Sequence, residues 1–420
     1  MLIQFASETG FIIGFVTFLG LLLQRKPFNT ILEATVKVII GYIILQFGAH
    51  LAIQQLTEIT VLLERTFSLK GIMPNNEMIV GISQWHYGKM IGYIIVIGMI
   101  LHIVIARYTK YKYIFLTGHH ILYMSSLLAG IMAGASMPFF FKVLLAGIIL
   151  ALSMTLFPAI CQPMMRQLVP EQNVAIGHFG SVGYVIAGWF GKKLGKKDEQ
   201  IKSKSKSYVK ALKLISNPIV SIALFMLIFF TVVIIITSKQ DFITYSGSDN
   251  ALLYALNYSF LFTAAIYIII VGVRMLLTEV LTSFQGIADK IVPDAIPALD
   301  SPVIFPKAPQ AVVIGFSFSL IGGIAAMFAL ISLKVNIVLP AIVAHFISGG
   351  TAGVFGHTLG GYRGAAIGSF MHGLFITFLP LFLLPVMFQI GYTQTTFSET
   401  DFGIVGLLVY YVMKLLNLIQ

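Results

Sequence analysis

Apolar residues fall in eleven blocks, near 8–24, 31–53, 90–106, 121–138, 143–162, 218–237, 252–275, 311–332, 335–348, 364–389 and 402–418. Most match the roughly 20 residues that a helix needs to cross the hydrocarbon of a bilayer. The pattern predicts an all-α polytopic membrane protein with about eleven transmembrane helices. Two further segments, 172–191 and 349–363, are apolar but crowded with glycine. They predict re-entrant hairpins, because non-helical backbone at membrane depth survives only where protein or a water-filled cavity satisfies it.

Composition supports the bilayer. Apolar residues make up 58% of the 420, charged residues 10%, and the mean hydropathy is +0.92. A soluble chain would carry about 25% charge. Eleven spans use about 220 residues, which leaves no stretch suited to a soluble catalytic domain. The whole chain, 1–420, therefore reads as one membrane unit. Its single cysteine, Cys161, rules out a disulfide framework. The opening MLIQFASETGFIIGF lacks a basic n-region and a cleavage site, so its apolar run reads as a retained span.

Lysine and arginine near span ends stay cytoplasmic. The segment 192–213 carries nine lysines against Asp198 and Glu199, +7 of the chain's net +11, and reads as a cytoplasmic basic loop. Arg25, Lys26, Arg107, Lys110 and Lys112 mark the same side, and Glu399 and Asp401 fall on a short loop opposite. The amino terminus is then outside and the carboxyl terminus inside. Span five ends cytoplasmic near Arg166, so 172–191 cannot cross once before the basic loop. That loop is an ordinary topogenic signal, assisted by anionic lipid or suited to an acidic soluble partner, and not a nucleic-acid surface.

The glycine-rich segments 176–191 and 348–364 pair as interrupted elements of two related halves, the pattern that points to a transporter's binding site. Close helix packing is the alternative use for their glycines. Buried polar groups then nominate the chemistry. His119, opening span four, offers a donor and an acceptor to a hydroxylated ligand. His120 is the weaker candidate, since adjacent helical residues face different ways. His178 lies between Gly177 and Phe179, a backbone turn beside a ring that can stack. Asp300, between Pro297 and Pro302, is a carboxylate on an extended segment able to accept hydroxyls or a proton, or else an ordinary loop aspartate. His357 ranks behind these. His50, His86, His102, His345 and His372 are isolated and assigned to structure, while Arg274 and Glu279 anchor a span end or meet another helix.

Other chemistries fail on spacing. No GxxxxGK[ST], HExxH or CxxC occurs, so neither a nucleotide, a metal nor another cofactor is expected. Voltage-sensor periodicity and a carbonyl-filter loop are missing, which argues against a channel. An ion-coupled secondary transporter of a small polyhydroxylated substrate stays open, although it would normally carry more buried carboxylates.

Seven motifs occur in order: LTGH (116–119), IGH (176–178), VRM with a later glutamate (273–279), FQGI (284–287), ALDSP (298–302), AP-x-AVV-x-GF (308–316) and GVFG-x-x-x-GG-x-R (353–363). In these the chain resembles the ascorbate-specific membrane subunit, enzyme IIC, of the bacterial phosphoenolpyruvate-dependent phosphotransferase system. The resemblance implies a homodimer in the bacterial cell (inner) membrane and an elevator-type core beside a dimer-interface domain. It also implies import of L-ascorbate or a related sugar acid, phosphorylated on delivery. The donor would be a phosphocysteine on a separate IIB protein, itself charged by a phosphohistidine IIA protein. No phosphoryl acceptor is expected here, so the chain takes part in a transferase reaction without being the whole enzyme. Ligand contacts carry over to His119, His178, Asp300 and the Gly350–Thr351 region, with Asp300 orienting the reacting hydroxyl. Three contacts depart from the pattern: Tyr123 and Phe179 stand where glutamines are usual, and Glu77 where tyrosine is frequent. A carboxylate at 77 would repel an ascorbate anion, which keeps a pentose or polyol in competition.

Overall fold

The computed structural model describes residues 9–67, 71–170, 174–196, 217–237, 239–247, 250–392 and 394–419. The chain is mostly helix, with helices α1 (Thr9–Leu23), α2 (Phe28–Phe67), α3 (Asn76–Tyr108), α4 (Gly118–Ala133), α5 (Phe139–Leu168) and α6 (Ser181–Leu194) in its first half. The second half holds α7 (Pro218–Ile236), a short α8 (Lys239–Ser246), α9 (Ala251–Ile291), α10 (Pro309–Ser332), α11 (Ile342–Gln389) and α12 (Thr400–Leu415). By length and apolarity, six helices among the described residues can cross a membrane. They are α2, α3, α5, α9, α10 and α11.

Six short strands sit between helices: β1 (Gly71–Pro74), β2 (Tyr113–Phe115), β3 (Ala175–Ile176), β4 (Ile296–Leu299), β5 (Ile337–Val338) and β6 (Thr395–Thr396). All pairings are parallel, and they form two three-stranded sheets, β5-β1-β6 and β2-β4-β3. The series helix, long helix, strand, helix, strand, helix, helix, strand, helix occurs twice. It runs α1–α2–β1–α3–β2–α4–α5–β3–α6, then α7–α9–β4–α10–β5–α11–β6–α12 with α11 counted as two pieces. The long helices α2 and α9 match at 40 and 41 residues. Each half lends its first strand to the middle of the other half's sheet.

As one rod, the 48 residues of α11 would reach about 72 Å at 1.5 Å per residue, more than twice a bilayer core. The rod is broken at Gly360 and Gly361, the latter at φ 64° and ψ −167°, a conformation open essentially to glycine.

Several expectations need correction. The segment 172–191 is, among its described residues, strand β3, a turn and most of α6 rather than two helical arms. The segment 349–363 is helical up to the break, and the block at 335–348 is strand β5 followed by the start of α11. The two glycine-rich stretches are not counterparts, since β3–α6 repeats as β6–α12. They pack on one another, and a side chain at Gly191 would collide with the backbone of Gly356. Their glycines serve close approach of helices. Lys192 and Lys193 belong to the last turn of α6, and the basic loop from 197 onward lies outside the described residues. Of the two acidic residues read on a short loop, Glu399 caps α12 and Asp401 lies in its first turn, and both are buried, at 8% and 0% exposure.

Candidate functional site

Parallel strands deliver their carboxyl ends to one edge, and the residues that follow β2, β3 and β4 meet there. Leu116 N–H donates to Ala298 O and Gly177 N–H to Leu299 O at 2.7 Å, which continues the ladder past the strand ends. Gly177 is required here, because a Cβ would strike the carbonyl of Ala298. His119, His178 and Asp300, far apart in sequence, are thereby neighbours. His119 Nε2 lies 3.5 Å from one Asp300 oxygen and His178 Nε2 3.9 Å from the other. Asp300 caps the 3₁₀ turn Ser301–Lys307 by accepting from Ser301 N–H at 2.7 Å.

The other sheet faces the same space with residues after β1, β5 and β6. Asn76 donates to Glu399 Oε2 and its Oδ1 accepts from Ser398 N–H at 3.0 Å. Ser398 Oγ–H also donates to Glu399, at 2.8 Å, and Tyr123 Oη–H donates to Glu77 Oε1 at 3.1 Å. Between the sheets lies a cavity of about 500 Å³, in the range of small-molecule sites. Its wall includes Glu77, Thr117, His119, Tyr123, His178 and Asp300.

The imidazoles are held in defined states. His178 is buried, and its Nδ1 pairs with the Tyr184 hydroxyl at 2.7 Å. Burial pulls its pKa down to about 4, only partly opposed by Asp300, so the ring is neutral at pH 7. His120 lies against it, ring centroids 3.9 Å apart, and its Nδ1 accepts from Phe179 N–H at 3.4 Å. That bond leaves the His120 proton on Nε2. Atoms of His119, His120 and Asp300 lie within 4.8 Å of one another, a spacing open to a cation. With one His120 nitrogen accepting and the other protonated, that ring has no lone pair to give, and the group suits a hydroxylated ligand better than a metal. Burial raises Glu399 to about 7, against the hydrogen bonds from Asn76 and Ser398 and with the charge of Glu77 adding to the rise.

Of the residues nominated from sequence, His119, His178, Asp300, Tyr123 and Glu77 line one cavity. Phe179 does not: it is fully buried, stacked on Phe115 at 4.9 Å and edge-on to Phe157 and Phe402. Gly350 packs against Val312 and Phe305, and Thr351 Oγ1 donates within its own helix to Ile347 O. Both lie behind the wall, one turn from Ile347, which reaches it. His357 is outside the cavity, against Tyr362.

Other residues line it too: His120, ranked behind His119 from sequence, Arg274 and Glu399, read there as a span anchor and a topology marker, and Thr117 and Asn76, which were not nominated. Thr117 Oγ1 is buried with no hydrogen-bond partner among the described residues. Glu279 meets Lys37 on α2, at 3.6 Å. His345 and His372 are not isolated, since both reach Ser319 Oγ, at 2.8 and 3.2 Å. His102 bridges Thr155 and Phe115 N–H. Cys161 is buried beside the carbonyl of Ser181.

Residues 4–401 match the family described as the PTS system sugar-specific permease component. The chain is also 24% identical over 425 residues to the ascorbate-specific PTS system EIIC component of Mycoplasma pneumoniae, across 87% of this chain and 63% of that protein. It thus spans somewhat under two thirds of that relative's length.

Proposed function

Because the chain belongs to the family of PTS system sugar-specific permease components, integral membrane proteins that work with EIIA and EIIB proteins, we propose that it is a permease subunit importing a small polyhydroxylated substrate with coupled phosphorylation. L-ascorbate, or a molecule of its size and hydroxyl content, is the first candidate, since the Mycoplasma relative is named for it. The observation that carries the reading is the convergence of His119, His178 and Asp300 on one cavity at the ends of three parallel strands.

The imidazoles and the carboxylates hold the substrate through its hydroxyls, and one hydroxyl is left free for reaction. Its oxygen attacks the phosphorus of the phosphocysteine on the IIB partner. The S–P bond breaks, the cysteine leaves as thiolate, and the hydroxyl proton passes to Asp300 or to water. Positioning dominates such transfers, so Asp300 need only orient the hydroxyl. The unit works as a homodimer of about eleven spans per chain in the bacterial cell membrane, amino terminus outside and carboxyl terminus in the cytoplasm. An elevator-like displacement carries the cavity across.

The test is uptake in vesicles supplied with the IIA and IIB proteins. Phosphorylated product that needs phosphoenolpyruvate supports the reading. Free substrate that accumulates and is discharged by an ionophore replaces it with ion-coupled transport.

A further inference from the structure

Phosphoryl transfer brings an anion to a wall that is short of positive charge. Three carboxylates line the cavity: Asp300 after β4, Glu77 in the first turn of α3, and Glu399 before α12. A phosphoryl group in transfer spreads negative charge over its three equatorial oxygens. Facing carboxylates alone, those oxygens would meet like charge where the dielectric is reduced.

Among the described residues one permanent cation lines the cavity, and it is Arg274. Ile270, Arg274 and Thr278 follow one another at four-residue spacing on α9, so a single stripe of that helix forms this part of the wall. The Thr278 hydroxyl is turned back on its own helix, donating to the Arg274 carbonyl at 2.8 Å. Arg274 is exposed and makes no ion pair among the described residues. The nearest acid along the helix, Glu279, faces Lys37 at 3.6 Å instead. The guanidinium therefore keeps its charge and its donors for something that enters.

Its placement is specific in another way. His119, His178 and Asp300 stand just past the ends of β2, β3 and β4, whereas α9 packs chiefly against α2 and α7. Substrate is held from one side of the cavity, and the cation faces it from the other. A planar fork of N–H donors matches two oxygens of a phosphoryl group, which a point charge does not.

We propose that Arg274 is a catalytic residue of the phosphoryl transfer, its guanidinium receiving two non-bridging oxygens of the group as it passes from the IIB cysteine to the substrate hydroxyl. The proposal rests on the permease reading with coupled phosphorylation. The hydroxyl oxygen forms its bond to phosphorus, the S–P electron pair leaves with the thiolate, and the hydroxyl proton goes to Asp300 or to water. Arg274 stays protonated throughout and offsets the charge on the equatorial oxygens.

Transfer from phosphorylated IIB to L-ascorbate, followed with the purified full chain at rising IIB concentration, tests it. In Arg274→Gln the rate at saturating IIB should fall about a hundredfold, well beyond any change in ascorbate affinity measured by calorimetry. Arg274→Lys, which keeps the charge without the fork, should restore part of that loss. An unchanged saturated rate, with only the half-saturating IIB concentration raised, would mean that Arg274 merely guides docking and overturns the proposal. So does a loss that Arg274→Lys leaves in full, or one matched by an equal loss of ascorbate affinity. In each of these cases wild-type transfer leaves the permease reading intact. Absence of transfer by the wild-type chain removes that reading and the proposal together.

Discussion

His178 is held from both sides of its ring, by the Tyr184 hydroxyl at Nδ1 and by Asp300 facing Nε2. Removing that hydroxyl leaves a buried nitrogen unpaired, at about 1–3 kcal/mol. Tyr184→Phe should therefore lower the melting temperature and weaken substrate binding about tenfold. A variant with wild-type affinity would free His178 from this control. His119→Ala and His178→Ala should abolish uptake while expression and the melting temperature persist, and normal uptake by either would take that residue out of the site. Glu399 offers a pH test. Its pKa rises from 4.5 to about 7 on burial, so the folded state keeps a proton that the unfolded chain releases. Its contribution to stability is full below pH 4.5 and is lost as the pH climbs through about 7. Thermal melts of Glu399→Gln should show a shallower decline than wild type over that window, and parallel curves would refute the assignment. At this scale the sequence was partly legible. Gly177 beside His178, and the prolines around Asp300, mark backbone that ordinary helices do not use. His120 was discounted on helical geometry, but the first turn of α4 begins at a strand end, where successive residues 119 and 120 both reach the cavity. Thr117 and Arg274 stand in motifs but were not nominated for the site, because only strand pairing and the course of α9 bring them there.

The start of α6 depends on residues more than two hundred positions away. Ser181 and Val182 donate their N–H groups to Asp401, at 2.8 and 3.0 Å, and Gly183 donates to Thr400 Oγ1 at 3.2 Å. In return Asp401 N–H donates to Phe179 O at 3.1 Å. These bonds satisfy the orphan donors of the helix and place a carboxylate at its positive end. Asp401→Ala should cost about 1–3 kcal/mol and, by loosening the turn that bears His178, reduce uptake more than an equally destabilising change on a lipid-facing helix. Equal losses in both would show that Asp401 acts on stability alone. Gly361→Ala, forced to φ 64°, should lose about 1–3 kcal/mol, read as a lower melting temperature. Apolar blocks foretold most helices. They did not foretell the strands, since two to four residues are too few for a periodicity. Nor did they foretell the buried role of Asp401, which was read only as a charge on a short loop.

Helices α1, α2, α7 and α9 pack chiefly with one another, and the two sheets with α3–α6 and α10–α12 form the other assembly. The repeat is visible in the order of elements but hardly in the residues, so glycine content drew a false pairing between segments that are partners in packing. Exchange of strands between the halves makes each incomplete alone. Expressed separately, residues 1–194 and 217–420 should fail to accumulate, whereas co-expression should restore a complex that copurifies. Stable accumulation of either piece would contradict this dependence. Among the described elements the chain changes assembly three times: between α2 and β1, between α6 and α7, and between α9 and β4. If one assembly slides past the other, the described connection from Ile291 to Ile296 limits the reach of the stroke. Shortening it should act as a brake, slowing turnover without altering a single group that touches cargo.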